Sequence, residues 1–301
     1  MTVTEEERFE WLTTLTRYLY SRIEVKQSLF VSLLQRDVEQ ALFWGYELYY
    51  SGFQEETFEF ILDIYDEIYE ELNPTLKPVI ENLVEEWENC DDDSKDCNIG
   101  SIIYTLSQRK YNMVSFVKSK LTYNITKDDT PDMVIPECVI MLLPEHIEKY
   151  KTHVVSVKDG ENAYDVLKNI KLYPTIKEYN NLFDTCMPDS FKTIYQSDLE
   201  TWLFYASKSP VWLSRIQEHN GTIDCDNQTV KFDNDDDAQH FCELWNYEPN
   251  ELPSNIKELS IGNGNEKQQT IKQFCKKFKH TVTCKVTAPK TPKKSTVKKT
   301  G

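Results

Sequence analysis

Glycine is scarce, with eight in 301 residues. Nucleotide enzymes of the P-loop and Rossmann types spend glycine where backbone must approach phosphate, and neither GxxxxGK[ST] nor GxGxxG occurs here. The GxSxG elbow of serine hydrolases is missing as well. None of the eight cysteines, at positions 90, 97, 138, 186, 225, 242, 275 and 284, belongs to a CxxC pair. No catalytic residue, cofactor or metal ligand is therefore assigned, and the expectation is a binding protein that is not an enzyme.

Long apolar runs are also missing. The longest, residues 133–143, is too short to span a bilayer and is broken by Pro136 and Glu137. Residues 2–10 are acidic and polar, unlike a secretory leader. These features predict a chain that is neither secreted nor membrane-spanning, with its cysteines as reduced core thiols.

What the chain has is segregated charge. The formal net charge is −16, yet from Lys267 to the end there are eleven lysines and no acid. Residues 55–97 hold sixteen Asp and Glu against Lys77 and Lys95. The acidic stretch repels nucleic acid and would attract basic protein partners, with solubility alone as the competing account, whereas the lysine-rich end neutralises phosphates with little sequence readout. Lys285, Lys290, Lys293, Lys294, Lys298 and Lys299 are the candidate nucleic-acid contacts, the alternative being a tail for solubility or localisation. Thr291-Pro292 would be a phosphorylation point that weakens such contacts.

The periodicity predicts a mainly α fold, a helical bundle or short solenoid, with a smaller α+β C-terminal part containing a β-hairpin. Expected boundaries are an acidic helical domain at 1–110, a mixed α+β domain at 111–262 and a disordered lysine-rich tail at 263–301. Residues 5–109 read as successive helices. Phe58, Ile61, Leu62, Tyr65, Ile68 and Leu72 make one buried stripe, and Leu76, Val79, Ile80, Leu83, Val84 and Trp87 make the next. The helix at 37–50 is apolar nearly all round and is expected at the centre of the bundle. Its Trp44, Tyr46 and Tyr50 are the candidate protein-binding aromatics, with core packing as the competing account. Residues 134–143 and 153–157 read as strands, and 163–170 and 175–183 as helices. Ser197 and Glu200 fit a capping box. Pro210 starts a helix, residues 222–232 form a hairpin with Ile223, Cys225, Val230 and Phe232 inward, and Asn234 or Asp235 caps a last short helix.

Two clusters have the look of metal sites. The acid run from Asp233 lacks the Gly and Glu of a calcium loop, since Ala238 and Leu244 stand at those positions, so it reads as a helix cap. His219, Cys225, His240 and Cys242 lack zinc-ligand spacing and read as surface histidines and buried thiols.

Two stretches, RDVEQALFWGYELYYSGF at 36–53 and LETWLFYASKSPVW at 199–212 with the later FDNDDD at 232–237, resemble an uncharacterised protein family of nucleocytoplasmic large DNA viruses (giant viruses and relatives). The resemblance covers residues 25–250. It implies a setting, the viral factory of the host cytoplasm and the virion, and transfers no site residues. The aromatic helix is also similar to a packing helix in clamp-loader-like ATPases, whose ATP-binding half is absent here. The function expected is thus a non-enzymatic adaptor or virion-associated protein, binding protein partners through its body and nucleic acid or acidic surfaces through its tail. The competing expectation is a nucleic-acid-binding factor in viral transcription, translation or packaging.

Overall fold

Two helices joined by only two residues, α1 (Arg22–Gln35) and α2 (Val38–Tyr49), make the centre of the computed structural model. The structure describes residues 14–89, 94–129, 138–151, 170–179, 199–245 and 269–285. Arg36 takes a left-handed conformation and its N–H closes on the Leu33 carbonyl, so the chain reverses at once and the helices pack antiparallel. Asp37 caps α2 by accepting from the Gln40 N–H at 3.1 Å. Every residue of α2 from Ala41 to Tyr49 is buried, as its all-round apolar surface predicts.

The acidic segment builds α3 (Gln54–Ile64) and α4 (Lys77–Asn89). Phe58, Ile61, Tyr65 and Ile68 are buried as the stripe requires, but Leu72 is exposed and Tyr69 takes its place inside. A π-type turn at Tyr65–Tyr69 is the cause, because its extra residue rotates everything after it relative to the helical stripe. In α4 Ile80 and Leu83 are buried and Val79 is exposed. Next come α5 (Asp96–Ser107) and α6 (Val114–Lys120), followed by β1 (Tyr123–Lys127) and the single turn α7 (Pro144–Ile147).

The C-terminal half contributes α8 (Leu199–Ala206), α9 (Pro210–Glu218), the hairpin β2 (Gly221–Asp224) with β3 (Thr229–Phe232), and α10 (Asp235–Trp245). Ile223 faces Val230 across the hairpin. Pro210 opens α9 as expected, and the Asp237 N–H donates to Asn234 Oδ1 at 2.9 Å, so the acid run caps α10. Cys225 does not point inward: β2 ends at Asp224 and Cys225 sits exposed in the turn. Last are α11 (Ile271–Lys277) and β4 (His280–Lys285), the latter antiparallel to β1. The fold is thus mainly α with two small two-stranded sheets. No helix among the described residues is long and apolar enough to cross a membrane.

Three expectations need correction. Residues 14–21 are not helical. They form a tight buried turn, closed by the Arg22 N–H on the Thr14 carbonyl and the Thr16 N–H on the Tyr20 carbonyl. Residues 138–143 form no strand, and residues 170–179 form no helix. Their backbones are held by helix side chains in place of a ladder. Thr105 Oγ1 and Ser101 Oγ accept from the Ile140 and Leu142 N–H groups at 2.9 and 2.8 Å, and Ser28 Oγ accepts from the Ile176 N–H at 2.8 Å. Gln27 donates to the Ile176 carbonyl. A buried apolar run needs its backbone satisfied, and hydroxyls and amides on α5 and α1 do this without a sheet.

The third correction concerns the tail. Residues 269–285 are folded, with Phe274, Cys275 and Phe278 in the core and a Thr270–Gln273 capping box starting α11. Three apolar residues at helical spacing outweigh the lysines between them, which stay on the exposed face. Hydrogen bonds cross position 110, from Asn73 to the Lys110 carbonyl and from the Tyr111 hydroxyl to the Leu34 carbonyl. Outside the described residues lie the expected strand at 153–157, most of the helix at 163–170, Ser197 of the capping box, and Lys290, Lys293, Lys294, Lys298 and Lys299.

Candidate functional site

The buried turn at 14–21 organises the centre of the molecule. Arg17 Nε donates to Glu47 Oε2 at 2.8 Å, and the other carboxylate oxygen accepts from the Tyr18 N–H at 3.0 Å. The two side chains are 1% and 0% exposed. The Arg17 guanidinium also lies over the Tyr18 ring at 4.5 Å and the Tyr50 ring at 5.1 Å, where the ring faces favour a cation. Burial pushes the Glu47 carboxyl above its ordinary range, opposed by the Arg17 charge and by hydrogen bonds from Arg17, Thr16 and the Tyr18 backbone. Burial likewise pushes the Tyr18 hydroxyl up to about 12.

A cleft of about 330 Å³ opens beside this pair. Arg17 and Tyr18 form one side and Glu39 and Phe43 of α2 another. Lys149 and Tyr150, just after α7, and Ile170, Lys171 and Tyr173 of the extended segment complete it. Lys171 donates to Glu39 at 3.0 Å, in solvent. That contact holds the Glu39 carboxyl below its ordinary range.

A second groove, of about 440 Å³, lies at the head of the acidic helices. Its aromatic lining is Tyr49, Phe53 and Trp87, and its polar lining is Gln54, Glu55, Glu56 and Lys95. Trp87 Nε1 donates to the Tyr49 hydroxyl at 3.0 Å, which fixes both rings. Glu56 is paired with Arg22 and Lys26. Glu55, Glu59, Asp63, Glu81, Glu85, Glu86 and Glu88 have no ion-pair partner among the described residues.

The aromatics expected to bind protein lie elsewhere. Trp44 and Tyr46 are fully buried and Tyr50 is 7% exposed. Tyr46 stacks between Tyr50 and Tyr150 at 5.5 and 4.9 Å, and the hydroxyls of Tyr46 and Tyr50 donate to the Asp96 carbonyl and carboxylate. These rings are core, because a helix apolar on every side is covered on every side. The groove aromatics were missed because Tyr49 and Phe53 flank a helix end and Trp87 belongs to another helix. Only the turn at Ser51-Gly52 brings them together. Gly52, at φ +96°, permits that turn and leaves room for the Pro210 ring, which a Cβ there would overlap.

Of the nucleic-acid candidates, Lys285 ends β4, exposed, with its ammonium 5.9 Å over the Tyr123 ring. The cluster of His219, Cys225, His240 and Cys242 departs from its reading as surface histidines and buried thiols, and Cys138 and Cys284 are exposed as well. His219 is buried, its Nδ1–H donating to the Arg215 carbonyl at 2.9 Å, while Cys225 and Cys242 are exposed. No group of three metal-ligating side chains occurs among the described residues.

His280 anchors β4. It is 1% exposed; its Nδ1 faces the Phe278 carbonyl at 2.7 Å and its Nε2 the Met113 N–H at 3.3 Å. The carbonyl can only accept and the amide only donate, so the ring is neutral with its proton on Nδ1. Burial lowers its pKa from 6.5, opposed by the Phe278 carbonyl, with Lys127 and Asp128 as the nearby charges. The unfolded chain therefore takes up the proton first as pH falls. The stabilisation is complete above about pH 6.5 and declines below it until the folded protein also protonates. Urea midpoints for the wild type and His280→Gln are expected to differ clearly at pH 7.5 and to converge toward pH 5. A gap that stays constant with pH would remove His280 from this role.

No family model, curated protein or solved structure matches the chain.

Proposed function

We propose that the protein is a non-enzymatic adaptor whose helical body binds a basic segment of a partner protein in the groove of Tyr49, Phe53 and Trp87. The observation that carries this reading is a groove in which the partly buried Trp87, backed by the buried Tyr49 and Phe53, adjoins carboxylates that have no ion-pair partner among the described residues. Glu55 borders the rings, and Glu59, Asp63, Glu81 and Glu85 extend the negative field along α3 and α4. Lysine and arginine side chains favour such a place because ring faces and carboxylates both attract cations. The lysines of 267–301 would tether the adaptor to nucleic acid or another acidic surface, and five of them belong to the folded α11–β4 part or its end. The setting proposed, the cytoplasmic factory or virion of a large DNA virus, rests on the resemblance of residues 36–53 and 199–237.

The test is fluorescence titration of the full chain with a short Lys/Arg-rich peptide. Saturable binding is expected, weakened by salt and weakened about tenfold or more by Trp87→Ala combined with Glu55→Gln. Purification of partners from infected cells with and without nuclease then separates protein contacts from nucleic-acid contacts. Peptide binding that ignores the groove substitutions, or partners that all disappear with nuclease, would favour the nucleic-acid-binding alternative.

A further inference from the structure

The cleft beside Arg17 has a composition that packing alone does not require. Its interior rings are Phe43, Tyr150 and Tyr173, with Phe43 edge-on to Tyr173 at 5.1 Å. Two ammonium groups lie at the rim, each over a tyrosine: Lys149 at 4.9 Å from the Tyr150 ring and Lys171 at 5.0 Å from the Tyr173 ring. The Arg17 guanidinium, neutralised by Glu47, lies fully buried behind them. Tyr150 is 6% exposed, and its hydroxyl is buried with no hydrogen-bond partner among the described residues. Buried polar groups nearly always have a partner, so this hydroxyl, on a residue that lines the cleft, is a donor in want of an acceptor.

We infer that this cleft binds a mononucleotide. The requirements converge on that chemistry. A planar base suits the tyrosine and phenylalanine walls. A phosphate suits Lys149 and Lys171 at the rim, where charge-assisted hydrogen bonds form without full desolvation. A base or ribose oxygen accepts from the Tyr150 hydroxyl. Glu39, which now holds Lys171 across a solvent-exposed pair, accepts from a ribose hydroxyl or exocyclic amine when Lys171 turns to the phosphate. Exposed pairs of that kind are weak, so the exchange costs little. A volume of about 330 Å³ stands at the small end of ligand pockets and suits one nucleotide better than an oligonucleotide. The site shares no residue with the groove of Tyr49, Phe53 and Trp87 and does not depend on the adaptor reading.

The experiment is calorimetric titration of the full chain with the four ribonucleoside monophosphates, their nucleosides and inorganic phosphate. At least one monophosphate is expected to bind saturably below about 1 mM, with its nucleoside and inorganic phosphate each at least about tenfold weaker. Tyr150→Phe keeps the ring and removes only the hydroxyl. It is expected to weaken binding about fivefold while leaving the unfolding midpoint unchanged or raised. Lys171→Gln, at an exposed position, is expected to weaken binding and flatten its salt dependence. Absence of saturable binding by all four monophosphates overturns the inference. So does a monophosphate that binds wild type, Tyr150→Phe and Lys171→Gln equally, because it then sits elsewhere.

Discussion

Glu47→Ala is expected to lower the unfolding free energy by about 3–5 kcal/mol, enough to unfold a marginal domain. The substitution removes a small volume but strands two donors. The Arg17 guanidinium, 1% exposed, loses its counter-charge, and the Tyr18 N–H loses its acceptor. Ring faces of Tyr18 and Tyr50 partly solvate the cation and do not replace a carboxylate. The paired substitution Arg17→Met with Glu47→Leu removes both charges and is expected to be close to neutral, since a buried pair repays little more than its own desolvation. Urea denaturation with an unchanged m-value reads both effects. A single substitution costing less than about 1 kcal/mol would mean that water or another group reaches Arg17, and the buried-pair account would be wrong.

Trp212→Ala is expected to cost about as much, roughly 3–5 kcal/mol, by a different route. Trp212 is fully buried at the junction of the two halves of the chain. Its indole N–H donates to the Thr16 carbonyl at 3.1 Å, its ring meets Trp202 edge-on at 5.5 Å, and the Arg215 guanidinium lies over it at 4.6 Å. Removal leaves a cavity and takes one of two donors from the Thr16 carbonyl, which keeps the Leu19 N–H, within the turn that carries Arg17. Since α9 holds that turn, and the turn holds α2 through Glu47, the variant should still unfold in one transition at a lower denaturant concentration. Two separated transitions, one from residues 199–245 alone, would show that the C-terminal half is an independent unit. Trp212→Phe, keeping most of the volume, should recover much of the loss.

Much of the helical architecture was legible because it rests on local periodicity. The burial of Phe58, Ile61 and Tyr65, Pro210 opening α9 and the pairing of Ile223 with Val230 each depend on a few neighbouring residues. Periodicity failed where a non-local partner intervened. Residues 138–143 and 170–179 carry apolar patterns that suit a strand or a helix, but hydroxyls of Ser101, Thr105 and Ser28 had already satisfied their backbones. The π-type turn at Tyr65–Tyr69 moved Leu72 out and Tyr69 in, a shift of phase that no count of apolar spacing contains. Residues 269–285 read as tail because lysine dominates them. Yet β4 finds its partner in β1, more than 150 positions earlier.

By itself the amino-acid sequence determined the helical class, the central place of α2, the hairpin and the separation of negative and positive charge, because each follows from spacing along the chain. Tertiary structure alone decided which aromatics line a groove, that Arg17 meets Glu47, and that Lys149 and Lys171 border one cleft. Those outcomes depend on which distant surfaces are pressed together when apolar area leaves water, and side-chain spacing carries no information about distance across a core.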